Sequence, residues 1–240
     1  MKRVLGLAVL FSLSTAAFAG RFDSYLSDTD ARSIHKLGVV VLLGDTLYID
    51  RRGLTAFENK SFKVSVPQWQ LDESITKHIV DVMRARGRFV AESLNLAEND
   101  FAWSQWENGF DSAGRRMILD RGSKQGVDAV LVLSRESNPH SIARPGFGFS
   151  FASVFGKVSA GLVASFGVYL WQVPSDKPLA QQHPDPLLGP KPDAFPMKAA
   201  SWDAYSEEEQ STLESAIKQD LTVRVDQILD SMKLTTRPEG

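Results

Sequence analysis

The chain contains no cysteine among its 240 residues. This absence excludes disulfide bridges, thiolate metal sites, iron–sulfur clusters and a cysteine nucleophile. It also excludes a lipoprotein anchor, which needs a cysteine after the apolar leader. Histidine is scarce, and none of the four histidines has a metal-ligand spacing such as H-x-x-x-H. We therefore expect no metal site and no cofactor. The four histidines are His35, His78, His140 and His183.

Motifs for familiar chemistry are also missing. No G-x-S-x-G elbow presents a serine nucleophile. The glycines at 122 and 126 resemble a phosphate loop, but they fall where a helix is predicted to end, so the donors of a helix start are absent. In the segment His183-Pro184-Asp185, a proline-rich loop could present a histidine–aspartate pair, although a surface turn explains the same residues. The sequence therefore favours a non-catalytic protein, with a hydrolase-like enzyme as the alternative.

Residues 1–19 have the three parts of a cleavable signal peptide, in the required order. Lys2 and Arg3 give a positive start, the run from 4 to 13 is apolar, and Ala17-Phe18-Ala19 fits the cleavage site. The apolar run is shorter than the roughly 20 residues that span a bilayer. We predict cleavage and export to the periplasm or beyond it. An uncleaved membrane anchor and a buried first helix are the alternatives.

The rest of the chain is long enough for one sizeable core. We predict a flexible lead-in at 20–36, a single domain at 37–234 and a disordered tail at 235–240. The leader holds two of the 27 basic residues and none of the 29 acidic ones, so the mature net charge is −4. This acidity argues against a nucleic-acid partner, which would require a basic face. An envelope protein is the partner we expect.

Hydrophobic periodicity predicts an α/β (α+β) fold, with a mixed or mostly antiparallel sheet packed by about three helices. A continuous apolar run predicts a buried strand at 37–43, and Thr46–Asp50 could pair back on it as a hairpin. Ser206 with Glu209 forms a capping box for the C-terminal helix. Further strands are predicted at 61–66 and 128–133, and further helices at 72–86 and 111–125.

Glycine or serine alternates with phenylalanine from 146 to 151, and small and apolar residues then continue to 170. The period of two predicts a long β-hairpin that turns near Gly156. At the edge of a sheet this hairpin would offer a partner surface; inside the sheet its rings would be core. The candidate surface consists of Phe147, Phe149, Phe151 and Phe155.

The sequence also supports predictions for two other segments. The loop-like stretch from 95 to 109 contains Phe101, Trp103 and Trp106, which could stack on a sugar or anchor the loop in the core. The stretch from 174 to 200 contains seven of the eleven prolines, so we predict an extended surface loop there.

The order of these elements resembles a group of bacterial envelope modules. The group includes the N-terminal domain of TolB, the periplasmic domain of CsgG and the penicillin-binding-protein activator LpoB. The resemblance covers about 37–232 and is one of pattern; it implies a role in protein contact or assembly, and no functional residue is carried over. The pieces that match are Val39–Leu43, Asp72–Arg88, Gly126–Val132, Gly167–Gln172 and Ser206–Met232.

Several short motifs in the sequence are also similar to those of a family of exported bacterial proteins to which no activity has been assigned. That resemblance implies membership without implying an activity. It is carried by Gly38-Val39-Val40, Leu43-Gly44-Asp45, the segment 53–59, Trp69 and Leu71-Asp72.

Overall fold

The computed structural model describes residues 23–52, 60–86, 88–94, 96, 112–136, 146–154, 157–185, 187–190 and 201–235. These residues form four helices and nine strands in one mixed α/β sheet, as the periodicity predicted. The helices are α1 (Asp28–Arg32), α2 (Leu71–Arg86), α3 (Ser112–Gln125) and α4 (Glu207–Ser231). The strands are β1 (Lys36–Leu42), β2 (Thr46–Arg52), β3 (Lys60–Ser65), β4 (Val90–Ser93), β5 (Ala129–Arg135), β6 (Gly146–Val154), β7 (Lys157–Gln172), β8 (Pro178–Gln182) and β9 (Leu187–Pro190).

The sheet has the strand order β3-β2-β6-β7-β5-β1-β4, and β8 and β9 also pair with β7. Strand β1 lies parallel to β4 and β5, and β2 lies parallel to β6. The other pairs are antiparallel, including the predicted hairpin of β6 and β7. Strand β7 has 16 residues, and it pairs with β6 and β9 near its start and with β5 and β8 near its end. It therefore joins two half-sheets.

Helices cover both faces of the sheet. Helices α2 and α4 lie on one face, where their buried stripes share the larger core with Phe147 and Phe149. His78 Nε2 on α2 lies 2.7 Å from Asp226 Oδ1 on α4, so this histidine is a satisfied contact between helices. Helix α3 packs on the other face, through residues that include Ile118. The predicted capping box begins α4: the Ser206 N–H donates to Glu209 Oε2 at 2.7 Å.

Two aspartates hold the ends of β1. At its start, Asp128 Oδ2 accepts hydrogen bonds from the backbone N–H groups of His35 and Lys36, both at 2.8 Å. At its end, the Asp72 carboxyl accepts from the N–H groups of Leu43 and Gly44. These bonds attach β1 to the start of β5 and to the first turn of α2, and they fix the parallel register.

The chain does not turn back on itself after β1, which corrects the expected hairpin with Thr46–Asp50. Strand β2 pairs with β3 and β6, whereas both edges of β1 are filled by β4 and β5. Because β1 is buried between two parallel neighbours, the turn at Gly44 carries the chain into the other half-sheet.

Two segments that the sequence predicted as loops differ in the structure. In the lead-in, Leu26, Ala31 and Ile34 are buried in the main core, because apolar side chains recur in an otherwise polar segment. The proline-rich stretch contains β8 and β9; Pro178 begins one strand and Pro190 ends the other, where a missing N–H is tolerated. At the C-terminal end, Thr235 is buried, and 236–240 lie outside the described residues.

In the half-sheet around β1, side chains and the lead-in form hydrogen bonds with the outer edges of the outermost strands. On β4, the carbonyl of Ala91 accepts from Arg84 Nε at 2.9 Å, and the carbonyl of Ser93 accepts from Gln125 Nε2 at 2.9 Å. On β8, Gln181 exchanges two backbone hydrogen bonds with Ser24, at 2.9 and 3.2 Å. Both edges are therefore protected against pairing with another strand.

The two faces of β6 differ in the space they leave. Phe147 and Phe149 fill the core, and the Trp69 ring centroid lies 5.9 Å from that of Phe147. On the opposite face, a Cβ added at Gly148 would overlap the carbonyl oxygen of Tyr48. Glycine is therefore required at 148 by the close approach of β2.

The Asp72 carboxyl makes stability depend on pH. Burial raises its pKa from 3.8 to about 7, although the Gly44 and Leu43 N–H groups and the charge of Arg135 favour the ionised form. The folded state therefore holds a proton that the unfolded state releases, so stability from this group is present near pH 4 and is lost as the pH rises toward 7. Urea unfolding at pH 4, 5.5 and 7 should show this loss in the natural chain relative to Asp72→Asn. A difference between the two proteins that stays constant over this range would contradict the assignment.

Candidate functional site

A polar cluster lies on the α3 face of the sheet, beyond the end of β5. Glu136 follows β5, Tyr169 lies on β7 and His183 follows β8. Glu136 Oε2 accepts a hydrogen bond from the Tyr169 hydroxyl at 2.7 Å and lies 3.0 Å from His183 Nδ1. The side chains of Glu136 and His183 are 9% and 17% exposed, so this contact forms with little water around it. We call Glu136, Tyr169 and His183 the Glu–Tyr–His cluster.

Gly167 provides the space in which this cluster forms. A Cβ added there would lie 2.5 Å from Glu136 Oε2 and 2.6 Å from the Tyr169 hydroxyl. Real Cβ atoms do not approach other atoms this closely, so a side chain at 167 would displace the carboxylate. The glycine in the centre of β7 is therefore part of the cluster.

Aromatic packing and the lead-in hold the cluster in place. The Tyr169 ring stacks on Trp171 with centroids 5.2 Å apart, and it meets the His183 ring edge to face at 5.6 Å. The backbone N–H of His183 donates to Asp23 Oδ1 at 2.9 Å. The orientation of the imidazole is thus set by three segments that are distant in sequence.

The geometry suits a histidine oriented by a carboxylate. When Nδ1–H donates to Glu136, a neutral imidazole carries its lone pair on Nε2, which is the arrangement of a general base or a metal ligand. Ser165 lies opposite Glu136, where β5 pairs with β7. Its hydroxyl group donates a hydrogen bond to the Glu136 carbonyl oxygen at 2.7 Å. Asp185, which the sequence analysis paired with His183, is exposed. Glu136 makes the contact with the imidazole instead.

The structure distributes the sequence-predicted residues differently. Phe147 and Phe149 are 1% and 0% exposed, so these two rings are core, the alternative that the sequence left open. They are buried because β6 lies inside the sheet, between β2 and β7. Phe151 continues β6 toward its outer end. The remaining candidates, Phe155, Phe101, Trp103 and Trp106, lie outside the described residues.

Sequence reasoning named His183 but missed Glu136 and Tyr169. The two side chains come together only through the pairing of β5 with β7 and of β7 with β8. A lone glutamate after a buried strand carries no signal by itself. The glycine at 167, between apolar residues, was the available sign that something approaches β7 closely.

Neither a metal centre nor a membrane span is found in the part of the chain that the structure describes. Within those ranges, no group of three or more histidines and carboxylates could hold a metal ion. No helix among the same residues is long and apolar enough to cross a bilayer.

Comparisons with known proteins find two solved structures of low similarity. No family model matches the chain, and no protein with a curated description is significantly similar in sequence. A solved structure of a Xanthomonas campestris protein, described with the family model DUF330, is 11% identical with a TM-score of 0.41, over 84% of this chain and 85% of that one. A PelC dodecamer from Paraburkholderia phytofirmans is 11% identical with a TM-score of 0.28, over 84% and 92%. At these values neither likeness supports an argument about fold or function. The resemblance to TolB, CsgG and LpoB stays a prediction.

Substitution Gly167→Ala tests the cluster. The added methyl group should displace Glu136 from Tyr169 and His183 and lower the free energy of unfolding by about 1–3 kcal/mol, the cost of disturbing a buried hydrogen-bonded carboxylate. Gly38→Ala is the matched control, since its Cβ would meet only side-chain methyl groups at 3.3 Å. Urea unfolding of both variants, and of Gly167→Ala in a Glu136→Ala background, measures the effect. If the loss is the same with and without Glu136, the carboxylate is not what Gly167 accommodates.

Proposed function

We propose that the protein is an exported, non-catalytic binding or assembly-accessory module of the bacterial envelope, which acts through protein–protein contacts. The signal-peptide pattern at 1–19 supports export. The contact surface we assign to it is the outer end of the β6–β7 hairpin, on the side of the sheet away from β1.

The register of the hairpin carries this assignment. Strand β2 pairs with β6 as far as Ala152, and β9 pairs with β7 only from Gly161 onward. The last two hairpin pairs, Ser153 with Val158 and Val154 with Lys157, lie past both neighbouring strands in the described part of the sheet.

The composition of this end supports a contact role. Val154 and Val158 lie past the last residues of β6 and β7 that pair with a neighbouring strand, and Phe151 lies one residue before Ala152, the last residue that pairs with β2. The opposite half of the sheet has its edge strands occupied by Arg84, Gln125 and the lead-in. The outer hairpin is therefore the better candidate for contact.

Site-specific photocrosslinking in the native envelope tests the proposal. A photoreactive residue at Phe151 should give one discrete protein adduct, and the same probe at Val223, an apolar position 51% exposed on α4, should not. Export is measured in the same cells: the periplasmic product should have the mass of a chain that begins at Gly20. A folded, abundant protein with no adduct at Phe151, or with equal adducts at both positions, would remove support for the contact surface.

The contact between Glu136 and His183 supports a second candidate, a hydrolase-like activity with His183 as general base. A screen of the purified protein against ester, phosphate and peptide substrates should then find a turnover that His183→Ala abolishes. His35→Ala is the control, because His35 is exposed and its hydrogen bonds to Asp128 and Val90 are made by its backbone N–H and carbonyl groups. Turnover that survives in His183→Ala, or none in the natural protein, would reject this candidate.

A further inference from the structure

Strand β3 forms the outer edge of the half-sheet that contains β6. Among the described strands it pairs with β2 alone, and its six pairs, from Lys60 to Ser65, follow one register. The outer strands of the other half-sheet have protected edges, because side chains bond to β4 and the lead-in bonds to β8. Strand β3 contains no proline, and its described pairs contain no bulge, which are two common devices that block an edge.

The register shows which backbone groups of β3 face outward. Directly after β3, the Val66 N–H donates to the Asp45 carbonyl oxygen at 2.7 Å, so these opposite residues form a hydrogen-bonded pair. Hydrogen-bonded and non-hydrogen-bonded pairs alternate along an antiparallel ladder. The even-numbered residues of β3 therefore bond to β2, whereas Ser61 and Ser65 direct their N–H and C=O groups away from it. Both serines are exposed, and within the described ranges neither makes a backbone hydrogen bond on that outer side.

The side chains of β3 differ between its two faces. Phe62 and Val64 are half-buried and pack against the main core. Ser61, Lys63 and Ser65 are exposed on the other face. Because side chains alternate along a strand, a strand added at this edge would extend the main core with one set of side chains and face water with the other.

We propose that the outer edge of β3 binds an extended segment of a partner protein as an additional strand, through the backbone groups of Ser61 and Ser65. An extended segment presents N–H and C=O groups on one side at every second residue, about 7 Å apart, which is the spacing along β3 itself. The bound segment directs apolar side chains toward the side of Phe62 and Val64 and polar ones toward the opposite face. This inference rests on the proposed contact function and assigns it a different surface from the hairpin end.

A second copy of this chain is a less suitable occupant. Two β3 strands related by a two-fold axis would use both serines when position 61 of each copy lies opposite position 65 of the other. That register places Lys63 directly opposite the same residue of the other copy. Like charges at opposite positions destabilise antiparallel pairing. Lys63 therefore opposes self-association through this edge, and a partner strand without a base at that position avoids the repulsion.

Amide hydrogen exchange of the isolated protein tests whether the edge is accessible. The Ser61 and Ser65 N–H groups should exchange at least about tenfold faster than those of Phe62 and Val64, because the latter two bond to β2. Slow exchange at both serines would mean that the edge is already covered and would overturn the proposal.

Proline substitution in the native envelope tests the mode of binding. With a photoreactive residue at Ser61, the chain should give one discrete protein adduct. Ser65→Pro removes an outward N–H and leaves the bonds to β2, so the adduct yield should fall about tenfold while the unfolding temperature changes little. Ser65→Ala is the matched control: it also loses the hydroxyl that donates to Asp45 Oδ2, but it keeps the N–H and should leave the yield unchanged. If Ser65→Pro does not fold, Ser61→Pro with the probe at Ser65 replaces it.

The outcomes separate this inference from the hairpin surface. An adduct at Ser61 that the proline leaves unchanged would show a contact that does not use the strand edge, and an adduct with the mass of two copies of this chain would assign the edge to self-association. Either result overturns the proposal. An adduct at Phe151 with none at Ser61 overturns this inference alone, whereas the reverse result supports the strand edge and removes the hairpin surface. A folded protein with no adduct at either probe overturns both.

Discussion

The architecture depends on one strand, β7, that takes part in both half-sheets. Its first residues pair with β6 and β9 and its last with β5 and β8, so four strands obtain their position from one backbone. The alternation of side chains along β7 places Phe166 and Leu170 in the main core and directs Tyr169 and Trp171 to the α3 face. Both the Glu–Tyr–His cluster and the outer hairpin inherit their geometry from this strand.

The local signals in the sequence were sufficient for the elements, because their causes are local. The capping box of Ser206 and Glu209, the stripe of α2 and the alternation of β6 are each confirmed at their predicted places. Strand pairing was predicted correctly for the β6–β7 hairpin, whose arms are joined by a short turn. It was wrong for β1 and β2, since adjacency along the chain competes with the burial of β1 between two parallel strands.

In the candidate sites too, local features were predicted and long-range contacts were missed. His183 was visible as a residue, but its partner Glu136 lies 47 positions away and is brought to it by two strand pairings. The phenylalanine face was predicted as one unit; Phe147 and Phe149 are buried in the main core, and Phe155 lies outside the described residues. Periodicity indicates which residues share a face, whereas the position of β6 between β2 and β7 decides that Phe147 and Phe149 are core.

The contrast between the two faces of β6 has a consequence for sequence change. One face is filled by the rings of Phe147 and Phe149, and the other must lack a side chain at Gly148 because the Tyr48 carbonyl oxygen of the neighbouring strand β2 lies where a Cβ would be. A single inserted or deleted residue would exchange the faces, so that a ring met the β2 carbonyl while a cavity opened in the core. The strand thus tolerates replacement of individual side chains far better than a change in its length, because its glycines and phenylalanines must keep their spacing.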